Sequence, residues 1–382
     1  MTATSKRLIA LVAATALATA ASAAQAKDPI QVGMAVALTG FLANFDGQFI
    51  AGAKLGAQVL NGSGGADGHP LDLHILDDAS NATAGMTATN QMLNQFDVTA
   101  MLNGLSSAQN AAIEPILARA KVPMIVFSVL PPDPVWAFQA NVPSERGVDL
   151  EFQFATQQLH AKKIAVVYSQ TPYGQNNAKR LNASAAKAGV QVVYSDAVEG
   201  SATDMTPQLA KIKDAAPDVV IDVLTGATHI VEAKAAATVG LKVPLVMASD
   251  DTPTYQKATA AYPATYITVA PSQAYPNIPD PALKAADEIF LASFHQAGLD
   301  PALIAGASVG WDAVRILAQA VKESGATGGD ALRNALEHVT MQGTNTLYRF
   351  SPGDHSGQNA VPVAMQVGKI EDGKIQIVYT PK

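Results

Sequence analysis

The sequence contains no cysteine among its 382 residues. Disulfide bonds, thiolate metal sites and a cysteine nucleophile are therefore excluded, as is anchoring through a lipid on an N-terminal cysteine. An excess of basic residues is also missing, because 25 Lys and Arg stand against 32 Asp and Glu. An acidic chain is a poor partner for nucleic acid and for anionic lipid, so we expect neither.

The first 26 residues have the features of a secretion signal. Lys6 and Arg7 precede the apolar stretch Leu8–Ala20, and Ala24-Gln25-Ala26 is an A-x-A cleavage site. The apolar stretch is shorter than the ~20 residues that cross a bilayer, so we expect cleavage rather than an uncleaved anchor. Loss of the two basic residues leaves 23 basic against 32 acidic residues, a net charge of −9. We expect a monomer in the periplasm, with no direct membrane insertion.

The rest of the chain alternates apolar strands with amphipathic helices, in two successive blocks. Runs that are apolar throughout are typical of strands buried on both faces, and intervening helices act as crossovers between parallel strands. The first block has predicted strands at Gln31–Ala37, Leu71–Leu76, Val98–Leu102 and Pro123–Ser128, with helices at Asp46–Leu60, Thr83–Phe96 and Ser107–Ala120. The second block has predicted strands at Lys163–Ser169, Gln191–Ala197, Val219–Leu224, Leu245–Ser249 and Ile267–Ala270.

The last third of the chain is predicted to return to helices and to end in a hairpin. The hairpin is Val361–Tyr379, with Asp372-Gly373 as a type I′ turn. The predicted helices are Pro281–Gln296, Ala302–Glu323 and Asp330–His338.

Without its first 26 residues, the chain is still longer than one hydrophobic core usually supports. We predict an α/β fold of two Rossmann-like lobes with parallel sheets. Breaks rich in Pro, Gly, Ser or Asp at Asn141–Ser144, Ala270–Ser272 and Ser351–Asp354 predict three hinge crossings between the lobes. Lobe one is then 27–142 plus 273–350, and lobe two is 143–272 plus 351–382.

Ligands of open parallel sheets bind beyond the carboxyl ends of the strands, and polar side chains stand in several of those loops. Ser106 and Ser107 precede a helix, where hydroxyl and N–H groups suit a carboxylate, or either serine is only the N-cap. Asp250 or Asp251 either holds an ammonium or hydroxyl donor or caps the next helix. Tyr173 either offers its ring and hydroxyl to a ligand or is simple packing.

Two patterns of reactive residues are interpreted as structural. Ser308 lies in a G-x-S-x-G sequence, but the nucleophile elbow needs a strand before it, and the flanking sequence here is helical. We interpret these small residues as a close contact between helices, with a secreted serine hydrolase as the alternative. His229 and Glu232, three apart on a helix, are taken as ordinary surface. We predict no catalytic residue, no metal site and no cofactor.

Short motifs distributed over nearly all of the mature chain resemble those of one family. They are Val32-Gly33-Met34, Leu38-Thr39-Gly40, Asp46-Gly47, Ala51-Gly52-Ala53, Leu76-Asp77-Asp78-Ala79, Asn103-Gly104-Leu105-Ser106-Ser107, Val122-Pro123-Met124-Ile125, Tyr173-Gly174 and Gly240-Leu241-Lys242. In this order and spacing they resemble the leucine/isoleucine/valine-binding family of periplasmic solute-binding proteins. The resemblance implies the type I periplasmic binding fold, service to an ABC importer and docking on its permease.

The resemblance also implies roles for individual residues. The serine that binds the ligand carboxylate in this family resembles Ser107, and the backbone that holds the head group resembles Ser128 to Leu130. The lobe-two tyrosine resembles Tyr173, and the acid that pairs with the ammonium resembles Asp250. The sequence departs from the family at Leu130, where a threonine is frequent, and at Asp250, one methylene shorter than the usual glutamate.

Two classes of small-molecule ligand follow from this interpretation. The first is a hydrophobic, branched-chain-like amino acid or a related small carboxylate, in a cleft that includes Phe41 and Ser106. The alternative is an aromatic carboxylate, in a pocket lined by Phe41, Phe45, Phe127, Trp136 and Tyr173. A ligand sensor that feeds a signalling partner is a further alternative.

Overall fold

The computed structural model describes residues 27–130, 134–358 and 364–381. Residues 1–26, for which we predict a signal peptide, lie outside the described residues. The strands are β1 (Ile30–Val36), β2 (Leu71–Asp77), β3 (Ala100–Asn103), β4 (Met124–Val126), β5 (Ala137–Gln139), β6 (Lys163–Ser169), β7 (Gln191–Val198), β8 (Val219–Val223), β9 (Leu245–Met247), β10 (Thr265–Val269), β11 (Thr340–Gln342), β12 (Leu347–Arg349), β13 (Gln366–Glu371) and β14 (Lys374–Tyr379).

The helices connect these strands and cover both sheets. They are α1 (Ala43–Gly62), α2 (Ala82–Gln95), α3 (Ser107–Ala120), α4 (Ser144–Gln157), α5 (Pro172–Ala188), α6 (Thr206–Ala215), α7 (Ala227–Val239), α8 (Thr252–Ala261), α9 (Pro271–Ala274), α10 (Pro281–Gln296), α11 (Ile304–Ser324) and α12 (Gly329–Leu336). A short 3-10 turn, Pro301–Leu303, leads into α11.

The first sheet is parallel, with strand order β2-β1-β3-β4-β5. Strand β1 pairs with β2 through Ile30 and Leu71, and with β3 through Val32 and Ala100. Val32, like most of β1, is inaccessible to solvent because helices cover both faces of the sheet. This arrangement confirms the parallel pairing predicted for lobe one.

The first sheet is closed by a helix from the last third of the chain. Helix α11 packs along α1 so tightly that a Cβ atom on Gly310 would lie 2.0 Å from the Phe49 carbonyl oxygen, and one on Gly52 1.8 Å from the Ala307 carbonyl oxygen. Only glycine permits this approach of the two backbones. The predicted close contact between helices is therefore present, and residues separated by about 250 positions share one core.

The second sheet has strand order β14-β13-β10-β9-β8-β6-β7. Strands β6 to β10 pair in parallel, whereas β13 is antiparallel to β10 and forms a hairpin with β14. Asp372 and Gly373 both have positive φ angles, of 49° and 74°, as the predicted type I′ turn requires. The start of the predicted hairpin at Val361 lies outside the described residues.

The structure contains elements that the hydrophobic pattern does not predict. Helix α4 and strand β5 lie between the two blocks, and β11 pairs with β12 as a small separate sheet. Residues 351–358 contact the first sheet: His355 Nδ1 lies 3.0 Å from the Ala137 carbonyl oxygen, and the Gln358 side chain donates to the Asn141 carbonyl at 2.8 Å. In the proposed two-lobe division we therefore move the third crossing from residue 351 to beyond residue 358.

Among the described residues, one segment, Pro301–Ser324, has the length and composition of a membrane-spanning helix. Two thirds of its apolar window, 67%, is buried inside the protein, where it packs on α1. We therefore interpret it as a core helix.

Candidate functional site

A cavity of about 260 Å³ lies between the carboxyl edges of the two sheets. Its walls come from the loops that follow β1, β3 and β4 on one side and β6, β8 and β9 on the other. No Lys, Arg or His belongs to the described residues that line it. An anionic group bound here must therefore be held by N–H and O–H donors.

The lobe-one wall presents hydroxyl groups at the start of α3. Ser106 is the N-cap, and its Oγ accepts from the Gln109 backbone N–H at 3.3 Å. Ser107 also lines the cavity, and no hydrogen bond of its hydroxyl is seen within the described residues. Ser128 lies beside them, held by the Asn110 side chain, which donates to its Oγ at 2.8 Å. The wall thus combines a free hydroxyl with the positive end of a helix dipole.

The lobe-two wall presents Asp250 and Tyr173. Asp250 is buried, and its two oxygens accept from the backbone N–H groups of Gly226 at 2.5 Å and Asp251 at 2.6 Å. Tyr173 sits in the first turn of α5, where a Cβ on Gly174 would lie 2.0 Å from the Ser169 carbonyl oxygen. The Tyr-Gly pair therefore brings the start of α5 against the end of β6 and places the phenol in the cavity wall.

His229 and Glu232 are fully buried behind this wall, so the expectation of an ordinary surface position was wrong. His229 Nδ1 lies 3.1 Å from Asp222 Oδ2, and Nε2 lies 3.2 Å from Asp250 Oδ2. The second contact is ionic, without the alignment of a hydrogen bond. His229 shares the buried face of α7 with Ala233 and Ala236, at the i, i+4 and i+7 spacing of one helix face.

The charges in this cluster are mutually dependent. Burial by itself lowers the pKa of His229, but Asp222 and Asp250 outweigh it and raise that pKa well above the usual value. Burial also raises the pKa of Glu232 well above its usual range, and the negative charge of Asp222 adds to this effect. We interpret the cluster as an imidazolium held between Asp222 and Asp250, with Glu232 neutral.

The same residues have the spacing of a metal site. Ligand atoms of Asp222, His229 and Glu232 lie within 4.8 Å of one another. Carboxylates beside both ring nitrogens stabilise the imidazole as its cation, and both nitrogens of that cation carry a proton, so neither can bind a metal. We therefore assign these residues to ion pairing.

Glu151 is a further acid in the cavity wall, and no sequence pattern predicted it. It lies on α4, is 1% exposed, and its Oε1 accepts from Thr268 Oγ1 at 2.9 Å. Its Oε2 has no hydrogen-bond partner within the described residues. Burial, followed by the negative charge of Asp222, raises the pKa of Glu151 to about 8, so the carboxyl group is largely protonated at neutral pH.

Contacts between the lobes close over the cavity. Asp251 of lobe two accepts from the Asn44 side chain at 2.8 Å and from the Gln48 side chain at 3.2 Å, both on α1 of lobe one. Asp251 also caps α8 by accepting from the Thr254 N–H at 2.7 Å. The capping alternative is therefore realised at Asp251, whereas Asp250 lies in the cavity wall beside it.

The aromatic residues divide into two groups. Phe41, Phe45 and Phe127 line the cavity, with Phe41 60% exposed at its mouth. Trp136 does not line it and instead lies against Arg333, 5.9 Å from ring centre to guanidinium carbon. Leu130 is also absent from the described lining and packs on the outer core of lobe one with Leu76.

Ser308 is not a nucleophile elbow. It is buried in the second turn of α11, donates to the Ala305 carbonyl at 2.8 Å, and accepts from Ser272 and Asn345 at 3.0 Å each. A helix precedes and follows it, whereas the elbow needs a strand-to-helix turn. This geometry contradicts the serine hydrolase alternative.

The family model described as "Periplasmic binding protein" matches residues 29–374, most of the chain. The chain belongs to the periplasmic binding protein family. The predicted relationship to its leucine/isoleucine/valine-binding members is confirmed by the curated relatives. One is "Leu/Ile/Val-binding protein homolog 3" from Brucella melitensis, 28% identical over 56% of this chain. The matched region covers 59% of that protein, so little more than half of such a relative is aligned.

Solved structures have the same fold over almost the whole chain. The substrate-binding protein of the branched-chain amino acid transporter from Streptococcus pneumoniae, in complex with isoleucine, has a TM-score of 0.78 at 19% identity, covering 92% of this chain and 100% of its own. A solute-binding protein of an ABC transporter from R. palustris, in complex with 4-hydroxybenzoate, has a TM-score of 0.78 at 20% identity, covering 93% and 97%. The predicted type I periplasmic binding fold is confirmed.

Proposed function

We propose that this protein is the periplasmic solute-binding component of an ABC importer. It binds a hydrophobic, branched-chain-like amino acid, or a related small carboxylate, between its lobes. The observation that carries the proposal is a cavity with hydroxyl and N–H donors on one wall and the buried acid Asp250 on the other. That polarity matches a molecule with a carboxylate at one end of its head group and an ammonium at the other.

In the proposed complex the ligand carboxylate lies on Ser107 and the N-terminus of α3. The ammonium pairs with Asp250, which lines the cavity. The side chain lies among Phe45, Phe127 and Val309, where burial of a leucine side chain contributes ~1.5–3 kcal/mol. A micromolar dissociation constant corresponds to about −8 kcal/mol, so these contacts suffice after the cost of association.

Closure of the lobes is part of the proposal. A ligand that touches Ser107 and Asp250 at once favours the closed state over the open one, because it contacts both walls only there. The closed form then docks on the permease. Small-angle X-ray scattering with and without ligand measures the closure, and co-purification with the permease tests the partner against a signalling alternative.

An aromatic carboxylate is the second candidate. The wall residues Phe41, Phe45 and Phe127 favour it, as does the relative solved with 4-hydroxybenzoate. This ligand needs the carboxylate subsite but has no ammonium for Asp250. The amino acid therefore depends on the negative charge of Asp250 in the lobe-two wall, whereas the aromatic carboxylate does not.

Calorimetry on the purified mature protein, freed of bound ligand by unfolding and refolding, tests both candidates. The ligands are L-leucine, its amide, 4-methylpentanoate and 4-hydroxybenzoate. We expect leucine to bind, and both the amide, which lacks the carboxylate, and 4-methylpentanoate, which lacks the ammonium, to bind at least ~10-fold more weakly. Binding of 4-hydroxybenzoate without binding of leucine would favour the second candidate.

A further inference from the structure

We propose that Glu151 is a second ligand-contacting acid on lobe two, and that it releases its proton when the ammonium group of a ligand enters the cavity. This inference rests on the proposed function, because it needs a ligand with an ammonium group. It assigns a role to a residue that neither the motifs nor the wall formed by Asp250 and Tyr173 account for.

The first reason is the position of the Glu151 carboxyl group. It lines the cavity although it is 1% exposed, and Thr268 holds only Oε1, at 2.9 Å. Oε2 is buried without a partner among the described residues. A buried polar atom left without a hydrogen bond costs ~1–3 kcal/mol, and a ligand in the cavity would supply the missing partner.

The second reason is the charge around this carboxyl group. Several titratable groups stand on α4 and on the elements packed against it. They are Asp222 (β8), His229 (α7), Tyr173 and Arg180 (α5), Tyr266 (β10), Tyr379 (β14), Lys369 and Glu371 (β13), and Glu145, Arg146 and Asp149 (α4). Arg180 is paired with Asp149 at 2.6 Å and Lys369 with Glu371 at 2.6 Å. Arg146 donates to the Gln358 carbonyl, and His229 is held by Asp222, so each cation named here already has another partner among the described residues.

The direction of the proton transfer follows from these surroundings. With the cavity empty, burial and the charge of Asp222 raise the pKa of Glu151 to about 8, so the neutral acid predominates at pH 7. An ammonium group beside it favours the carboxylate. The O–H bond then breaks, the proton passes to buffer, and the carboxylate pairs with the ammonium. Release fades above pH 8, because Glu151 is then already ionised before the ligand binds.

The consequence for specificity is that lobe two meets the ammonium with two acids, Asp250 and Glu151. A neutral analogue such as 4-methylpentanoate leaves the proton in place and gains nothing from Glu151. Preference for zwitterionic amino acids over simple carboxylates should therefore fall as pH falls well below 7, where removing the proton costs more.

Calorimetric titration of L-leucine at pH 7 in phosphate and in HEPES tests the inference, because the two buffers have different heats of protonation. We expect the wild-type protein to release roughly nine-tenths of a proton per leucine. Glu151→Gln should release none and bind leucine ~10-fold or more weakly. The matched control is Asp287→Asn, which removes a buried acid of α10 that belongs neither to the described cavity wall nor to the cluster around His229, and it should leave proton release unchanged.

The outcomes separate the two proposals. If leucine binds without buffer dependence, or if Glu151→Gln still releases a proton, the role of Glu151 is overturned while the proposed function stands. If no amino acid binds, both are overturned. Circular dichroism and thermal unfolding of Glu151→Gln show whether a loss of binding reflects a loss of fold.

Discussion

Asp250→Asn is expected to weaken amino-acid binding selectively. The substitution keeps the size of the buried side chain and removes the charge proposed to pair with the ammonium. It also sets an NH2 donor against one of the two backbone N–H groups that Asp250 accepts, at 2.5 and 2.6 Å, so thermal unfolding of the variant checks that the fold is kept. A hydrogen bond to a charged group is worth ~1.5–3 kcal/mol. At about 1.4 kcal/mol per factor of ten, leucine should therefore bind roughly 10- to 150-fold more weakly.

The assay compares leucine with 4-methylpentanoate, which has the same side chain and carboxylate but no ammonium. Asp250→Asn should leave 4-methylpentanoate unaffected, or bind it more tightly. Asp251→Asn is the matched control. Asp251 accepts hydrogen bonds from Asn44 and Gln48 across the cleft, and the substitution weakens these contacts between the lobes. It should weaken both ligands equally by disfavouring closure. Equal weakening of the two ligands by Asp250→Asn would refute the ammonium role.

Two further predictions address the carboxylate subsite and the core. Ser107→Ala removes a free hydroxyl from the cavity wall and should weaken the binding of leucine and of 4-hydroxybenzoate alike, by ~10-fold or more in calorimetry. Ser106→Ala removes the N-cap and should instead lower the free energy of unfolding by ~0.5–2 kcal/mol. Weaker binding by Ser106→Ala with no effect of Ser107→Ala would contradict these two roles. Asp287 is buried, neither of its oxygens has a partner among the described residues, and burial raises its pKa to about 8. The folded state therefore prefers the neutral acid and loses up to ~1.4 kcal/mol per pH unit as pH rises from the ordinary pKa towards 8. Asp287→Asn should raise the melting temperature more at pH 8 than at pH 5. The control Glu288→Gln, at the exposed neighbouring position, should not change the melting temperature in this pH-dependent way. A gain for Asp287→Asn that is the same at both pH values would contradict the prediction.

The strands were predictable because continuous apolar runs have few other uses in a chain of this composition. The predicted β6, Lys163–Ser169, agrees with the structure at both ends, and β1, β2 and β7 agree within one residue. Strand β5 was missed because three residues are too few to establish a period. Helix α4 was missed because its inward face carries Glu151, a charge at a position where the amphipathic pattern demands an apolar residue.

The residues of the cleft were likewise only partly predictable from the sequence. Ser107, Ser128, Asp250 and Tyr173 were predicted because they follow strand ends, and the structure gathers all four around one cavity; their roles as ligand contacts stay predictions. The burial of His229 and Glu232 was not predicted, because the same helical spacing of a histidine and a glutamate occurs on exposed and on buried helix faces. What decides between them is Asp222, on a strand that only the tertiary fold brings within 3.1 Å of the imidazole. Leu130 was assigned by resemblance, and the chain turns it away from the cleft.

The contact between α1 and α11 has a consequence for biogenesis. Because these helices are far apart in the sequence, most of the chain must emerge from the ribosome or the translocon before lobe one can complete its core. Lobe two occupies the intervening stretch and consists largely of neighbouring β-α units, so it is able to fold earlier. In the export predicted from the first 26 residues, the amino-terminal third would thus stay unfolded until late, and this delay favours passage of an unfolded chain.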